Sequence, residues 1–131
     1  MSQRTIKFRA WDKINKKMTP SFDFRQWEGN KLYLSNYGVL YYGDLIILEF
    51  TGVEDRNKKE IFEGNLLEIQ EHYCGDNKYP KGIFKVIYKD AEFFATSKLE
   101  KYVSLFDATK NFNAVVIGNI YENKNLLKEE L

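Results

Sequence analysis

Apolar residues recur at every second position along most of this 131-residue chain, and that period predicts strands with one face in a core and the other in water. "TIKFRAWD" sets Ile6, Phe8 and Ala10 against Lys7 and Arg9, and "KINKKMTPSF" reads as its return, with a hairpin tip at Asn15-Lys16 and Pro20 at the strand's end or at an edge. "FDFRQWEGNKLYLS" alternates through Phe22 and Phe24, turns at Glu28-Gly29-Asn30 and resumes with Leu32 and Leu34. Tyr37-Gly38 and Gly43-Asp44 then bracket "VLYYG", and the continuous apolar run "LIILEF" predicts a strand buried on both faces. Farther on, "NLLEIQEHY" and "GIFKVIYKDAEFFAT" predict meander strands around "CGDNKYPKG", whose Gly, Asp, Asn and Pro mark an exposed loop.

The period changes once. In "SKLEKYVSLF", Leu99, Tyr102, Val103 and Phe106 fall at helical spacing and Ser97 with Glu100 forms a capping box, which predicts one short helix. "AVVIGNIYEN" returns to strand, and "NKNLLKEEL" is a polar tail with room for about one helical turn. The expectation is a mainly β chain forming a single domain over residues 1–131: N-terminal hairpins over 1–48, a second part over 49–122, and a tail over 123–131.

Composition supports this reading, because aromatics make up 16% of the residues and there are only two prolines. Twenty basic residues against 19 acidic ones give a net charge of +1, which is not the footprint of a protein that lives on phosphates. The distribution is uneven, since residues 1–31 hold eight basic and three acidic groups. A single cysteine, Cys74, excludes an internal disulfide, and no apolar run approaches the roughly 20 residues that cross a bilayer, so a cytoplasmic protein without membrane contact is expected.

Catalytic constellations are sparse. His72, Cys74, Glu71 and Asp76 lie close together, but structural zinc sites take paired Cys or His from two places and this chain has one of each. No Gly-x-Ser-x-Gly elbow, Walker loop or dinucleotide fingerprint occurs. No catalytic residue, metal or cofactor is expected. The notable feature is aromatic: Trp11, Trp27, Tyr33, Tyr41 and Tyr42 lie in or beside the basic stretch of Arg4, Lys7 and Arg9. Basic and aromatic residues interleaved on a sheet grip single-stranded nucleic acid, and the same residue types dominate protein interfaces.

Three stretches, "IKFRAWDKINKKM", "FTGVEDRNKKEIFEGN" and "VIGNIYENKNLL", resemble in order and spacing the YopX family, small proteins encoded mainly by temperate phages and prophages of Gram-positive bacteria. The resemblance implies an all-β fold with a small, SH3-like barrel in its C-terminal part, on which the N-terminal hairpins pack, and it implies no reaction. Where the family's second stretch usually has Asn-Gly at a hairpin tip, this chain has Asn57-Lys58; where the family tends to have Asp after Glu-Gly, it has Asn65. A catalytic or metal-binding carboxylate would not keep its chemistry through that change, whereas a turn would. Gly52, Asn57, Lys58, Gly64, Asn65 and Gly118 are therefore expected to shape turns, with Val53, Ile61 and Phe62 filling a core.

The first expected function is a non-enzymatic accessory protein that binds a host or phage protein in the bacterial cytoplasm and forms a homo-oligomer. The second is a nucleic-acid-binding accessory protein using the N-terminal hairpins. An enzyme comes third, and a deep pocket with convergent polar groups would distinguish it.

Overall fold

The alternation in "FRAWD" becomes strand β1 (Phe8–Asp12), whose Ala10 and Asp12 are buried. In the computed structural model, which describes residues 5–97 and 101–128, β1 lies between β2 (Lys17–Met18) and β6 (Leu45–Glu54), antiparallel to both, with Trp11 opposite Met18 on one side and Ile46 on the other. A second sheet runs β3 (Trp27–Glu28), β4 (Lys31–Leu34), β5 (Gly38–Tyr41) in chain order. Gly29, at φ 61°, occupies the first position of the two-residue β3–β4 turn, where a primed hairpin turn requires a left-handed residue. Alternation along β4 buries Leu32 and Leu34 with Ala10, Phe22 and Leu45 in one core. Phe24 does not continue that alternation: Asp23 accepts the Arg25 N–H while Gln26 caps back onto the Asp23 N–H, so Phe24–Gln26 winds into a 3-10 turn and leaves Phe24 exposed.

These elements belong to the first of two compact units, Met1–Gly52; the second is Val53–Leu131, and the division falls inside β6. In the second unit the chain leaves β6 through a tight turn into β7 (Glu60–Phe62), then forms β8 (Asn65–Ile69), β9 (His72–Cys74), β10 (Asn77–Tyr79), β11 (Gly82–Lys89), β12 (Glu92–Thr96), β13 (Tyr102–Ser104), α1 (Leu105–Lys110), β14 (Val115–Asn119) and α2 (Lys124–Lys128). Its main sheet has the order β13-β12-β11-β8-β14 and is antiparallel at every pairing. The fold is mainly β, with curled sheets that include a half-barrel. Ile61, Leu67, Ile69, Phe84, Val86, Ala95, Leu105 and Ala108 form its core. The strand buried on both faces is β8, flanked by β11 and β14, where Asn65, Leu66, Leu67 and Ile69 are all buried. In "LIILEF", only Leu45, Leu48 and Phe50 are buried, and the residues between them are half-exposed.

Two further stretches differ from the sequence expectation. The short helix lies further along the chain: Tyr102–Ser104 is strand, because Ala95 and Thr96 of β12 offer it a free edge, and the helix starts at Leu105 with Ser104, not Ser97, accepting the Asp107 N–H. Leu99 and Glu100 lie outside the described residues. "CGDNKYPKG" is not wholly loop, since Cys74 pairs with Asn77 and Tyr79 with His72 across a Gly75-Asp76 turn.

Among the described residues, four hairpins place non-glycine residues in the left-handed region, Lys16 (φ 57°) between β1 and β2 and Asn36 (φ 64°) between β4 and β5 among them. Lys58 has φ 67°, and the two-residue β11–β12 turn has Asp90 at φ 53° and Ala91 at φ 64°. Such a turn favours Gly at its second position, and a Cβ in this region costs about 1 kcal/mol. Lys58→Gly and Ala91→Gly are expected to raise stability by up to about 1 kcal/mol each, the gain being reduced by the greater freedom of glycine in the unfolded chain. Urea denaturation checks both, and a loss of stability in either variant would mean that the replaced side chain contributes more by its contacts than its backbone loses by strain.

Candidate functional site

The corner around Asp55 is held by backbone hydrogen bonds to buried side chains. Asp55 Oδ1 accepts from the N–H groups of Asn57 (2.8 Å) and Lys59 (2.9 Å), and Oδ2 accepts from Val116 N–H at 2.9 Å, 61 positions away. Asn65 Oδ1 accepts from Phe62 N–H at 2.7 Å while its Nδ2 donates to the Gly118 carbonyl at 3.0 Å. Asn65 thus bonds backward to Phe62 and across to β14, using both ends of its amide. Asn119 repeats the pattern, accepting from Tyr121 and Glu122 N–H and donating to Glu122 Oε1, while Asn123 Oδ1 accepts from Asn119 N–H. Gly52 and Gly64 take φ values of 87° and 82°, and Gly118 sits at a register shift within β14. The bonds of Asp55 and Asn65 tie the turn after β6 and the start of β8 to β14.

Asp12 plays the corresponding part in the β1–β2 hairpin. Its carboxylate accepts from Ile14 N–H, Asn15 N–H, Asn15 Nδ2 and, at 3.1 Å, the Tyr37 hydroxyl. Burial alone would raise the Asp12 pKa, but the bonds from Asn15, Ile14 and Tyr37 outweigh it and hold the carboxyl below its ordinary value. Its stabilising contribution is therefore present above the ordinary carboxylate range and is lost as pH falls through the lowered value. Burial and the adjacent Asp12 charge together push the Tyr37 hydroxyl up.

The aromatic and basic residues of the N-terminal unit divide into three groups. Trp27 packs against the core, edge-on to Phe22 at 5.9 Å, and its ring also lies 5.9 Å from that of Tyr42. Trp11 and Arg9 lie half-buried in β1, Lys7 places its ammonium 5.0 Å from the Phe50 ring, and Arg4 lies outside the described residues. Tyr33 and Tyr41 stand on the outer face of the β3–β4–β5 sheet, 42% and 49% exposed, where Tyr33 pairs with Val39 and Tyr41 with Lys31 across β4 and β5. Glu28, opposite Lys31 on β3, completes that face. Tyr42 follows β5 and is also exposed.

Sequence reasoning missed a second feature, a cleft of about 270 Å³ in the C-terminal unit. Its walls include Phe112, His72 and Tyr79 in successive layers, His72 stacking on Phe112 at 4.0 Å and on Tyr79 at 5.3 Å, with Lys101 Nζ 3.9 Å from the Tyr79 ring centre. His72 Nδ1 lies 2.9 Å from the Gln70 carbonyl, which can only accept, so Nδ1 carries a proton. Phe84, Tyr102, Val103, Ser104 and Asp107 complete the lining. No local motif announces this cleft, because its lining comes from β9, β10, β11, β13, α1 and the segments beside them. Among the described residues, no group of three or more His, Cys, Asp or Glu could hold a metal ion, and no helix is long and apolar enough to cross a membrane.

Comparison with solved structures finds protein EF1440 from Enterococcus faecalis, whose crystal structure is similar over 95% of this chain and 99% of that one, with 26% identity and a TM-score of 0.63. No curated protein sequence matches the chain. The model of the YopX protein family matches residues 7–128, a span that includes all three stretches of resemblance except one residue, Ile6, and the chain belongs to the YopX family.

Proposed function

We propose that the chain is a non-enzymatic binding module of phage or prophage origin that works by protein–protein contact in the bacterial cytoplasm and self-associates. The observation that carries this reading is the outer face of the β3–β5 sheet. It presents Tyr33, Val39 and Tyr41 to solvent between Glu28 and Lys31, and among the described residues β5 pairs with β4 on one side only. An open strand edge beside exposed aromatics is a ready docking surface. With one acid and one base, the face is complementary to itself under a two-fold operation, Glu28 of one copy meeting Lys31 of the next.

Charge favours protein over nucleic acid as the partner. The +5 of residues 1–31 falls to +3 over Met1–Gly52, where Asp44 and Glu49 add two negative charges. Arg25 is taken up by Asp23 at 2.7 Å and Lys7 stands over Phe50. Tight binding to a polyanion needs several uncommitted cations on one track.

Light scattering is expected to give a mass above the 15.5 kDa monomer, and Tyr33→Ser with Tyr41→Ser is expected to return the chain to a monomer without lowering stability by more than about 0.5 kcal/mol, since both side chains are on the surface. A strict monomer at high concentration would remove self-association from the reading. In fluorescence anisotropy at physiological salt, labelled single- and double-stranded oligonucleotides are expected to show no tight binding. Submicromolar, salt-sensitive binding lost on Lys7→Glu with Arg9→Glu would put the nucleic-acid function first.

A further inference from the structure

The cleft of the C-terminal unit has a chemistry that the protein-contact reading does not use. We infer that it binds a small planar aromatic acid carrying a single negative charge, with the ring against the aromatic walls and the acid at Lys101.

Size sets the first limit. A cavity of about 150 Å³ is enough to hold benzene, so about 270 Å³ has room for one or two fused rings. The walls set the second. Phe112, His72, Tyr79 and Tyr102 bring four rings to one lining, over Phe84 and Val103, and such a lining favours a flat π-system in offset or edge-on contact. The first two stacked rings lie within 27° of parallel, so ring planes are already ordered beside the cleft.

The polar groups decide the charge. Lys101 is half-buried, its ammonium rests on the Tyr79 ring, and among the described residues no carboxylate lies within ion-pair distance of it. An ammonium held on an aromatic face and flanked by apolar surface attracts an anion more strongly than a fully hydrated one does. Ser104 Oγ already accepts the Asp107 N–H at 3.1 Å, so its hydroxyl hydrogen is directed elsewhere and is available to a ligand oxygen. Asp107 also lines the cleft, bonded through Oδ1 to Asn111 Nδ2 at 2.7 Å. Its carboxylate opposes a second negative charge, which selects a monoanion over a phosphate ester.

The test is a titration of the full ¹⁵N-labelled chain by NMR with 2-naphthoate, with 2-naphthalenemethanol as the neutral analogue and 2-naphthyl phosphate as the dianionic one. The naphthoate is expected to shift the amides of Tyr102, Val103, Ser104 and Phe112 and to bind more tightly than either analogue. Lys101→Met is expected to weaken naphthoate by about fivefold, the worth of one partly exposed charge pair, and to leave the neutral analogue unchanged. Phe112→Ala is expected to weaken all three probes. Absence of any cleft shift at millimolar naphthoate, equal affinity for charged and neutral probes, or full binding by a folded Lys101→Met variant would each overturn the inference. Shifts confined to the outer face of β3–β5 would also overturn it while leaving the proposed protein-contact function untouched, because the two sites share no residue.

Discussion

Asp55→Ala is expected to destabilise the protein by about 3–4 kcal/mol, the largest effect of any single substitution considered. Asp55 is 5% exposed and its carboxylate accepts three backbone N–H groups, from Asn57, Lys59 and Val116. Removing an acceptor from a buried donor costs about 1–3 kcal/mol per donor left unsatisfied, and water reaching the turn recovers part of that for Asn57 and Lys59. Val116 N–H belongs to β14, the strand that borders β8, so the loss is felt in the main sheet as well as in the hairpin. Asp55→Asn separates the parts: its one carbonyl oxygen keeps the two turn N–H groups, while its NH₂ meets the Val116 N–H donor to donor, and about half the loss is expected. Asp76→Ala, on an exposed turn, serves as the control and is expected to change stability by less than about 0.5 kcal/mol. Urea denaturation measures all three, and an Asp55→Ala variant as stable as that control would show that the corner does not depend on its carboxylate.

Gly118→Ala is expected to cost about 2–3 kcal/mol for a different reason, space. A Cβ built on Gly118 would stand 2.3 Å from Asn123 Oδ1 and 2.6 Å from its Cγ, well inside contact distance. The Asn123 side chain must swing away and give up the bond it accepts from Asn119 N–H, at the point where Asn65 Nδ2 holds the Gly118 carbonyl. Since the obstruction is a single side chain, Asn123→Gly should relieve it. In a double-mutant cycle, Gly118→Ala in the Asn123→Gly background is expected to cost at least about 1 kcal/mol less than in the original chain. Full additivity would place the cost of Gly118→Ala in the strand backbone and not in Asn123.

Both substitutions fall in the stretches that carry the family resemblance, "FTGVEDRNKKEIFEGN" and "VIGNIYENKNLL". Hydrogen bonds explain why these stretches go together: Asp55 reaches Val116, and Asn65 reaches Gly118, across spans of 61 and 53 positions. Each stretch completes the backbone bonding of the other.

What the residues determine by themselves is local. The period-2 alternation of "FRAWD" and "KLYL" places strands, because a pleated backbone sends successive side chains to opposite faces whatever lies beyond them. The Glu28-Gly29-Asn30 and Asn15-Lys16 turns are legible for the same kind of reason, a short loop needing specific backbone angles. Asp55 could have been read from the same rules, since an Asp two residues before Asn at a hairpin tip invites bonds from its side chain to nearby N–H groups. Its third bond, to Val116, could not. Likewise Tyr102, Val103 and Phe106 have helical spacing, yet Tyr102–Ser104 joins the sheet because β12 offers an unpaired edge, and an intrinsic preference of a few tenths of a kcal/mol per residue yields to strand pairing. Tyr33, Tyr41 and Trp27 are alike as aromatics in one stretch of sequence, but register alone sends Trp27 to the core with Leu32 and Leu40 and the tyrosines to solvent with Val39 and Lys31. The cleft is the extreme case: His72, Tyr79, Lys101, Asp107 and Phe112 carry no common pattern along the chain, and only the folding of β9, β10, β13 and α1 brings them to one lining.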